Sequence, residues 1–245
     1  MRHKVGSRVV AVTVTEFSKD RDNTGGGTGF LVKAPSGKTF IVTNRHVCDD
    51  SKDGSMWVTV DGMTQDRKLK ILKKSDQADL CLMEPIPGIE GLDIGDTPAV
   101  GDDVIYIGHP RLQARTYVSG ELVGTKIETV IRGQVGKEIS EAECKASKDS
   151  YIADTYEIYL ILRRLARDVT PTQSIESLFK TSNKVTVCYE RGQAYVTTLD
   201  VYGGASGSPM VNVYGEVVGV IYAGEQGQWG YAVILAELKQ LLKGR

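Results

Sequence analysis

A hydroxyl, an imidazole and a carboxylate in this sequence could together carry out nucleophilic acyl transfer. The hydroxyl is Ser206, set in Gly203-Gly204-Ala205-Ser206-Gly207-Ser208-Pro209 just ahead of the apolar run Met210 to Val213. Glycines on both sides let the backbone turn sharply and bring N–H groups close to a bound carbonyl. A serine between them can then attack while those N–H groups hold the developing oxyanion. Taken alone, the stretch reads better as a tight loop between two strands. The imidazole is His46, in Thr43-Asn44-Arg45-His46-Val47-Cys48, where the apolar segment Phe40 to Val42 should end as a strand. His3 is terminal, and His109 falls in the turn Gly108-His109-Pro110, where a loop-shaping role suffices. The carboxylate is Asp79, at the mouth of the apolar run Leu80 to Met83. An acid there is ordinarily a solvated cap. Beside a histidine, the same group would hold the ring in the tautomer that accepts a proton from serine and would stabilise the imidazolium formed.

These groups need a frame. The chain has 245 residues, 41% of them hydrophobic, enough for one large domain or two tightly packed halves. With 30 basic against 31 acidic residues, the formal charge of -1 argues against general affinity for nucleic acid or anionic membrane. No run approaches the roughly 18 apolar residues of a membrane span, and Met1-Arg2-His3-Lys4 leads into a strand-like segment instead of a long apolar leader. The expectation is a cytoplasmic protein with no membrane partner. Cys48, Cys81, Cys144 and Cys188 lie far apart without a Cys-x-x-Cys pair, which argues against zinc and favours free buried thiols.

Short, turn-bounded strands are predicted at Val9 to Val14, Gly29 to Val32, Phe40 to Thr43, Trp57 to Val60, Lys68 to Lys73, Leu80 to Glu84 and Asp103 to Ile107. They return at Lys184 to Tyr189, Gln193 to Leu199, Met210 to Val213 and Glu216 to Ala223. Such spacing suggests a sandwich or barrels. Between them, residues 138–182 lack glycine and place Tyr156, Tyr159, Leu160, Leu162 and Leu165 at mixed helical spacings, which reads as a partly helical insert. Leu238, Leu241 and Leu242 share one face of a closing amphipathic helix at 235–245. Arg67 to Lys74 alternates charge with aliphatic residues, most simply a strand with a solvated face and otherwise an RNA or acidic-partner patch; Arg163-Arg164-Leu165-Ala166-Arg167 reads as an exposed helix face.

Thr43-Asn44-Arg45-His46-Val47, Asp79-Leu80-Cys81-Leu82 and Gly204-Ala205-Ser206-Gly207-Ser208-Pro209 resemble, in that order, the histidine, aspartate and serine motifs of chymotrypsin-like serine proteases. Gly27-Thr28-Gly29-Phe30-Leu31-Val32 is similar to the strand that precedes the histidine in that family, and Gly230-Tyr231-Ala232-Val233 to the last strand of HtrA-like domains. The subgroup resembled is bacterial and viral, including HtrA-type proteases and glutamyl endopeptidases. The resemblance implies an all-β fold of two antiparallel Greek-key six-stranded barrels, residues 1–100 and 101–234, with the insert in the second and the helix after it. It further implies Ser206 as nucleophile, His46 as general base and acid, Asp79 as orienting carboxylate, and the N–H groups of Gly204 and Ser206 as oxyanion hole. No metal or organic cofactor is implied, and the partner is a polypeptide substrate, a polyprotein among the candidates.

Departures from the family pattern carry their own expectations. Digestive members carry aspartate just before the nucleophile, where it pairs with a newly cut N-terminus; here Ala205 stands there, so that switch cannot operate. The cysteine that precedes the histidine in secreted members is missing, so Cys48 is not expected to form the disulfide of their histidine loop. A protease folded competent, or gated by a loop or the insert, follows. Asp200 lies six residues before Ser206, the offset of the acid that binds Arg or Lys in trypsin-like members; in HtrA-like enzymes a similar Asp merely ends the preceding strand, and both readings stand. The far wall of the specificity pocket, by resemblance, is Ile221-Tyr222-Ala223-Gly224, and with isoleucine where glutamyl enzymes have histidine, preference for Glu is not expected. The rival functional class is a catalytically silent module of this fold that binds peptide or RNA. An esterase of another fold is disfavoured, because strands and helices do not alternate and Ser208 fits the Gly-x-Ser-x-Gly elbow poorly.

Overall fold

The computed structural model describes residues 8–13, 26–49, 51, 53–60, 67–75, 77–110, 114–132, 188–225 and 229–245. The expected insert at 138–182, with its arginine cluster, lies outside the described residues.

Strands β1 (Val9–Thr13), β2 (Gly26–Lys33), β3 (Thr39–Thr43), β4 (Ser55–Val60), β5 (Arg67–Lys74) and β6 (Cys81–Met83) close a barrel in the order β1-β2-β3-β6-β5-β4. A short helix, α1 (Arg45–Asp49), follows β3. Strands β7 (Asp103–Gly108), β8 (Thr116–Arg132), β9 (Cys188–Thr197), β10 (Pro209–Val211), β11 (Val217–Glu225) and β12 (Trp229–Ile234) close a second barrel, and helix α2 (Leu235–Leu242) ends the chain. Read from β7, the second barrel runs β7-β8-β9-β12-β11-β10, the order of the first barrel with each number raised by six. The two halves thus share a topology that no sequence repeat betrays. Chain contacts set residues Met1–Lys126 with Gln193–Arg245 apart from Ile127–Gly192.

Side-chain alternation distributes the apolar residues among the cores. Leu31, Ile41, Met56, Val58, Cys81 and Met83 fill the first barrel. Their neighbours Phe30, Val32, Phe40, Val42, Leu80 and Leu82 face the other way, into a cluster shared with Ile107, Val211, Val217 and α2 residues Leu235, Leu238, Leu241 and Leu242. Burial on both faces explains the near-continuous apolar runs of β2, β3 and β6. By contrast, β5 keeps only Leu69 buried while Lys68 pairs with Asp53 and Lys74 with Asp49, the solvated face expected of that strand.

Two sequence expectations are corrected. Cys48 and Cys81 are joined in a disulfide, with Cα atoms 6.5 Å apart, instead of remaining free thiols. Their distance along the chain conceals that β3 and β6 are neighbours, Thr43 opposite Cys81, which brings the start of α1 alongside. Strand β8, 17 residues long, also went unpredicted, because Gly120, Gly124 and scattered charges interrupt its apolar pattern; pairing with β7 from Asp103↔Glu121 to Gly108↔Thr116 builds it instead.

Candidate active site

His46 is the second residue of α1, and half of its side chain is exposed. Its Nδ1 lies 2.6 Å from Asp79 Oδ2, while its backbone N–H donates to Asp79 Oδ1 at 2.9 Å. One carboxylate therefore grips both the ring and the main chain of the histidine. A carboxylate only accepts, so the ring proton sits on Nδ1, which leaves Nε2 with its lone pair. Asn44, fully buried, donates through Nδ2 to the Asp79 carbonyl at 2.8 Å, and Arg45 donates through a guanidinium nitrogen to the Ser75 carbonyl at 2.6 Å. These bonds fasten the turn after β3 to the segment leading into β6.

Ser206 sits in a loop whose backbone is pinned on several sides. Gly204 and Gly207 have φ of 89° and 86°, a region open to glycine and costly for other residues. The N–H groups of Ala205, Gly207 and Ser208 donate to the carbonyls of Tyr202 (3.0 Å), Ile221 (2.8 Å) and Ala205 (2.9 Å). Those of Gly204 and Ser206 donate to no backbone carbonyl among the described residues. Ser206 Oγ donates to the Tyr222 carbonyl at 3.2 Å.

The two barrels meet at Gly27 and Thr28 of β2. A Cβ on Gly27 would fall 2.6 Å from the Ser206 carbonyl oxygen and 2.9 Å from Val47 Cγ2, so the glycine lets the Ser206 loop and α1 approach the same backbone. Thr28, fully buried, donates its N–H to the Ser206 carbonyl at 2.7 Å and its hydroxyl to the Gly204 carbonyl at 2.9 Å.

A sequence profile of the trypsin-like peptidase domain matches residues 27–220. The chain belongs to the trypsin-like peptidase family. No curated protein matches it. Among solved structures it is similar to the active form of the Rv3671c protease from M. tuberculosis, at 15% identity and TM-score 0.62, over 98% of this chain and 81% of that one. An inactive form of the same protease aligns at 16% identity and TM-score 0.58, over 98% and 90%. The serine endoprotease from Yersinia pestis aligns at 17% identity and TM-score 0.61, over 99% of this chain and 64% of that one. At these identities the likeness is one of fold, and the two-barrel architecture agrees with it. The chain is a serine endopeptidase, and its substrate class is polypeptide.

Within the peptidase, the residues read as a specificity wall divide. Ile221 is fully buried in one cluster with Val104, Tyr106, Leu199, Val201 and Ala205, and its backbone is tied to the Ser206 loop as well: its N–H donates to the Ser208 carbonyl at 2.9 Å and its carbonyl receives the Gly207 N–H. Tyr222 and Ala223 are half-buried and Gly224 is exposed. The Tyr222 ring lies 6.5 Å from that of Tyr231, and its hydroxyl is buried with no hydrogen-bond partner among the described residues. Asp200, just beyond the end of β9, accepts the Tyr202 hydroxyl on its carboxylate and the Tyr106 hydroxyl on its carbonyl at 3.1 Å. Burial first, then the nearby Asp200 carboxylate and Tyr202, push Tyr106 up to about 12. Ala205 is fully buried in the same core, an apolar setting for the position that carries an acid in digestive relatives.

Sequence reasoning passed over the polar groups beneath the loop. Thr28, Thr43, Asn44, His109 and Ser208 are all buried. His109, read as a loop-shaping residue, is 3% exposed, and its N–H donates to Thr28 Oγ1 at 2.8 Å. The available signal was a threonine between two glycines in a run otherwise destined for burial on both faces. Among the described residues no group of His, Cys, Asp and Glu is arranged to hold a metal, and no helix is long and apolar enough to cross a membrane.

Proposed function

We propose that the peptidase cleaves peptide bonds through Ser206 as nucleophile, His46 as general base and acid, and Asp79 as orienting carboxylate, by way of an acyl-enzyme. The observation that carries this reading is the double grip of Asp79 on His46, ring Nδ1 at 2.6 Å and backbone N–H at 2.9 Å. That grip fixes the tautomer and aims Nε2 away from the carboxylate. The N–H groups of Gly204 and Ser206, with no carbonyl partner among the described residues, fit an oxyanion hole.

The hydroxyl that now donates to the Tyr222 carbonyl rotates about χ1 toward His46 as the reaction begins. Oγ attacks the scissile carbonyl carbon while its proton passes to His46 Nε2, and the oxyanion lodges on the two N–H groups. Collapse of the tetrahedral species breaks the C–N bond, the leaving amine takes the proton from His46, and an ester remains on Ser206. Water, deprotonated by His46, then hydrolyses the ester.

The Asp200 carboxylate already accepts a tyrosine hydroxyl, which supports a structural role at the end of β9 over a site for basic side chains. Intact-protein mass after treatment with a fluorophosphonate tests the central reading. One adduct on the wild type and none on Ser206→Ala is expected. A folded wild type that takes up no probe would overturn Ser206 as the nucleophile.

A further inference from the structure

We propose that Thr28, a residue of the first barrel, is a positioning residue for the oxyanion hole of the second, acting through its side-chain hydroxyl on the Gly204 carbonyl. The inference rests on the reading of Ser206 as nucleophile.

The direction of the hydrogen bonds is fixed by the groups themselves. The His109 N–H can only donate, and it donates to Thr28 Oγ1 at 2.8 Å. The hydroxyl proton is therefore directed to the Gly204 carbonyl, 2.9 Å away. The Thr28 main chain is held as well. It pairs with Ala11 in β1, its N–H reaches the Ser206 carbonyl at 2.7 Å, and its own carbonyl receives the Thr43 hydroxyl at 2.7 Å. A saturated, fully buried side chain on a strand is a rigid anchor.

What the anchor holds follows from peptide geometry. A trans peptide is planar, with its carbonyl and N–H on opposite sides. Thr28 fixes the carbonyl sides of the Gly204–Ala205 and Ser206–Gly207 peptides, whose N–H groups are engaged at the far ends by Tyr202 and Ile221. The peptide between them, Ala205–Ser206, has its carbonyl taken by Ser208 N–H, which sends the Ser206 N–H to the other side. Alternate peptides are thus locked inward so that the Ser206 N–H projects outward.

Gly204 is the weak point of this arrangement. It has φ of 89°, and Gly203 before it has nothing within 4 Å of where a Cβ would stand. Two successive glycines, the first in open space, can pivot at little cost, turning the Gly204 N–H away from the cleft. The Thr28 hydroxyl holds the Gly204 carbonyl and with it the Gly204–Ala205 peptide, so that any such movement is confined to the Gly203–Gly204 peptide and the Gly204 Cα keeps its place beside Ser206. Ground-state substrate binding needs no such constraint, so the bond acts chiefly where negative charge develops on the carbonyl oxygen.

The test compares Thr28→Val, Thr28→Ser and wild type in the acylation burst with p-nitrophenyl acetate. Fluorophosphonate labelling of Ser206 in the wild type serves as the separate check on the nucleophile. Thr28→Val should slow acylation about ten- to hundred-fold with the ester's half-saturation constant within about twofold, and Thr28→Ser should restore the rate to within about threefold. Should Thr28→Val fail to fold, Thr28→Cys against Thr28→Ser decides in its place, the thiol being a weak donor of similar size, with about a tenfold deficit expected. A labelled, active wild type whose hydroxyl-free variant acylates within twofold of it, or an equal loss in Thr28→Ser, overturns the positioning role. A wild type that takes no label overturns the nucleophile reading itself, and the inference with it.

Discussion

The Cys48–Cys81 disulfide lies two residues beyond His46 at one end and two residues beyond Asp79 at the other. A covalent tie thus runs beside the hydrogen-bonded pair and joins α1 to β6 whatever the state of the imidazole. Closing 33 residues of chain removes entropy from the unfolded state, worth about 3–4 kcal/mol in the loop-closure account. The double variant Cys48→Ala/Cys81→Ala should therefore melt about 10 °C lower, and its kcat should fall further than its KM rises. Both sulfurs are fully buried, so dithiothreitol should release thiols from the folded protein slowly. A variant melting within about 1 °C of wild type would leave the bond without a structural role.

Replacing Asp79 by Asn keeps the shape of the site and removes its logic. The amide presents an N–H where Oδ1 or Oδ2 accepted, so either the His46 backbone bond or the Nδ1 bond is lost, and the ring is freed to adopt the other tautomer. kcat should drop about 10⁴-fold with circular dichroism unchanged. A loss below about tenfold would show that Asp79 does not set the tautomer.

Asp200→Asn separates a specificity role from a structural one. The amide retains an acceptor for the Tyr202 hydroxyl but weakens that bond, and it leaves the Tyr106 bond to the backbone untouched. Stability should fall by about 1–2 kcal/mol, while the P1 preference in a peptide library stays as in wild type. A selective loss of cleavage after Arg and Lys would instead place a basic side chain against Asp200.

What the sequence discloses and what it hides divides along physical lines. The proposed site residues Ser206, His46 and Asp79 stand out in the sequence because a turn that displays a hydroxyl needs glycines locally, and because His46 and Asp79 each stand at the edge of an apolar run. The Cys48–Cys81 bond is not legible, since it depends on Thr43 facing Cys81 across two strands far apart in the chain. Ile221 is a wall residue by resemblance alone, and where the register of β11 shifts, opposite Met210 and Val211 and again between Ile221 and Ala223, a period-two count along the strand does not assign its side chain to a face. Thr28 escaped notice because its partners, Gly204, Ser206 and His109, belong to the other barrel.

Tyr106 gives the fold an alkaline limb of definite sign. Its ordinary value of 10 rises to about 12 in the native state, through burial and then the neighbouring Asp200 and Tyr202. Below pH 10 the phenol is neutral in both states and the raised value has no effect. Between 10 and 12 the unfolded chain loses the proton while the native protein keeps it, so stability falls as pH rises. Tyr106→Phe should lower stability at pH 7 by about 1 kcal/mol for the lost bond to the Asp200 carbonyl. It should also flatten the decline across that window in urea titrations taken at successive pH values. An unchanged slope would mean that other groups govern the alkaline limb.

Gly27→Ala asks whether the close approach of the barrels is functional. The added methyl would meet the Ser206 carbonyl oxygen at 2.6 Å and Val47 Cγ2 at 2.9 Å. The first is backbone and cannot swing aside, and the second belongs to the residue after His46. Relief must therefore move the Ser206 loop away from β2, α1 away from it, or both. The Thr28 N–H bond to the same Ser206 carbonyl, 2.7 Å long, would stretch with any shift of the loop. Overpacking of this kind costs about 1–3 kcal/mol. Displacements near 1 Å at reacting groups reduce turnover about a hundred-fold. Gly29→Ala, one residue beyond Thr28 on the same strand, serves as the control for strand propensity. Gly27→Ala should lose far more fluorophosphonate reactivity than stability, measured as the labelling rate against the urea midpoint. Equal labelling rates for Gly27→Ala and wild type would show that Ser206 and His46 reach their working geometry independently of the contact at Gly27.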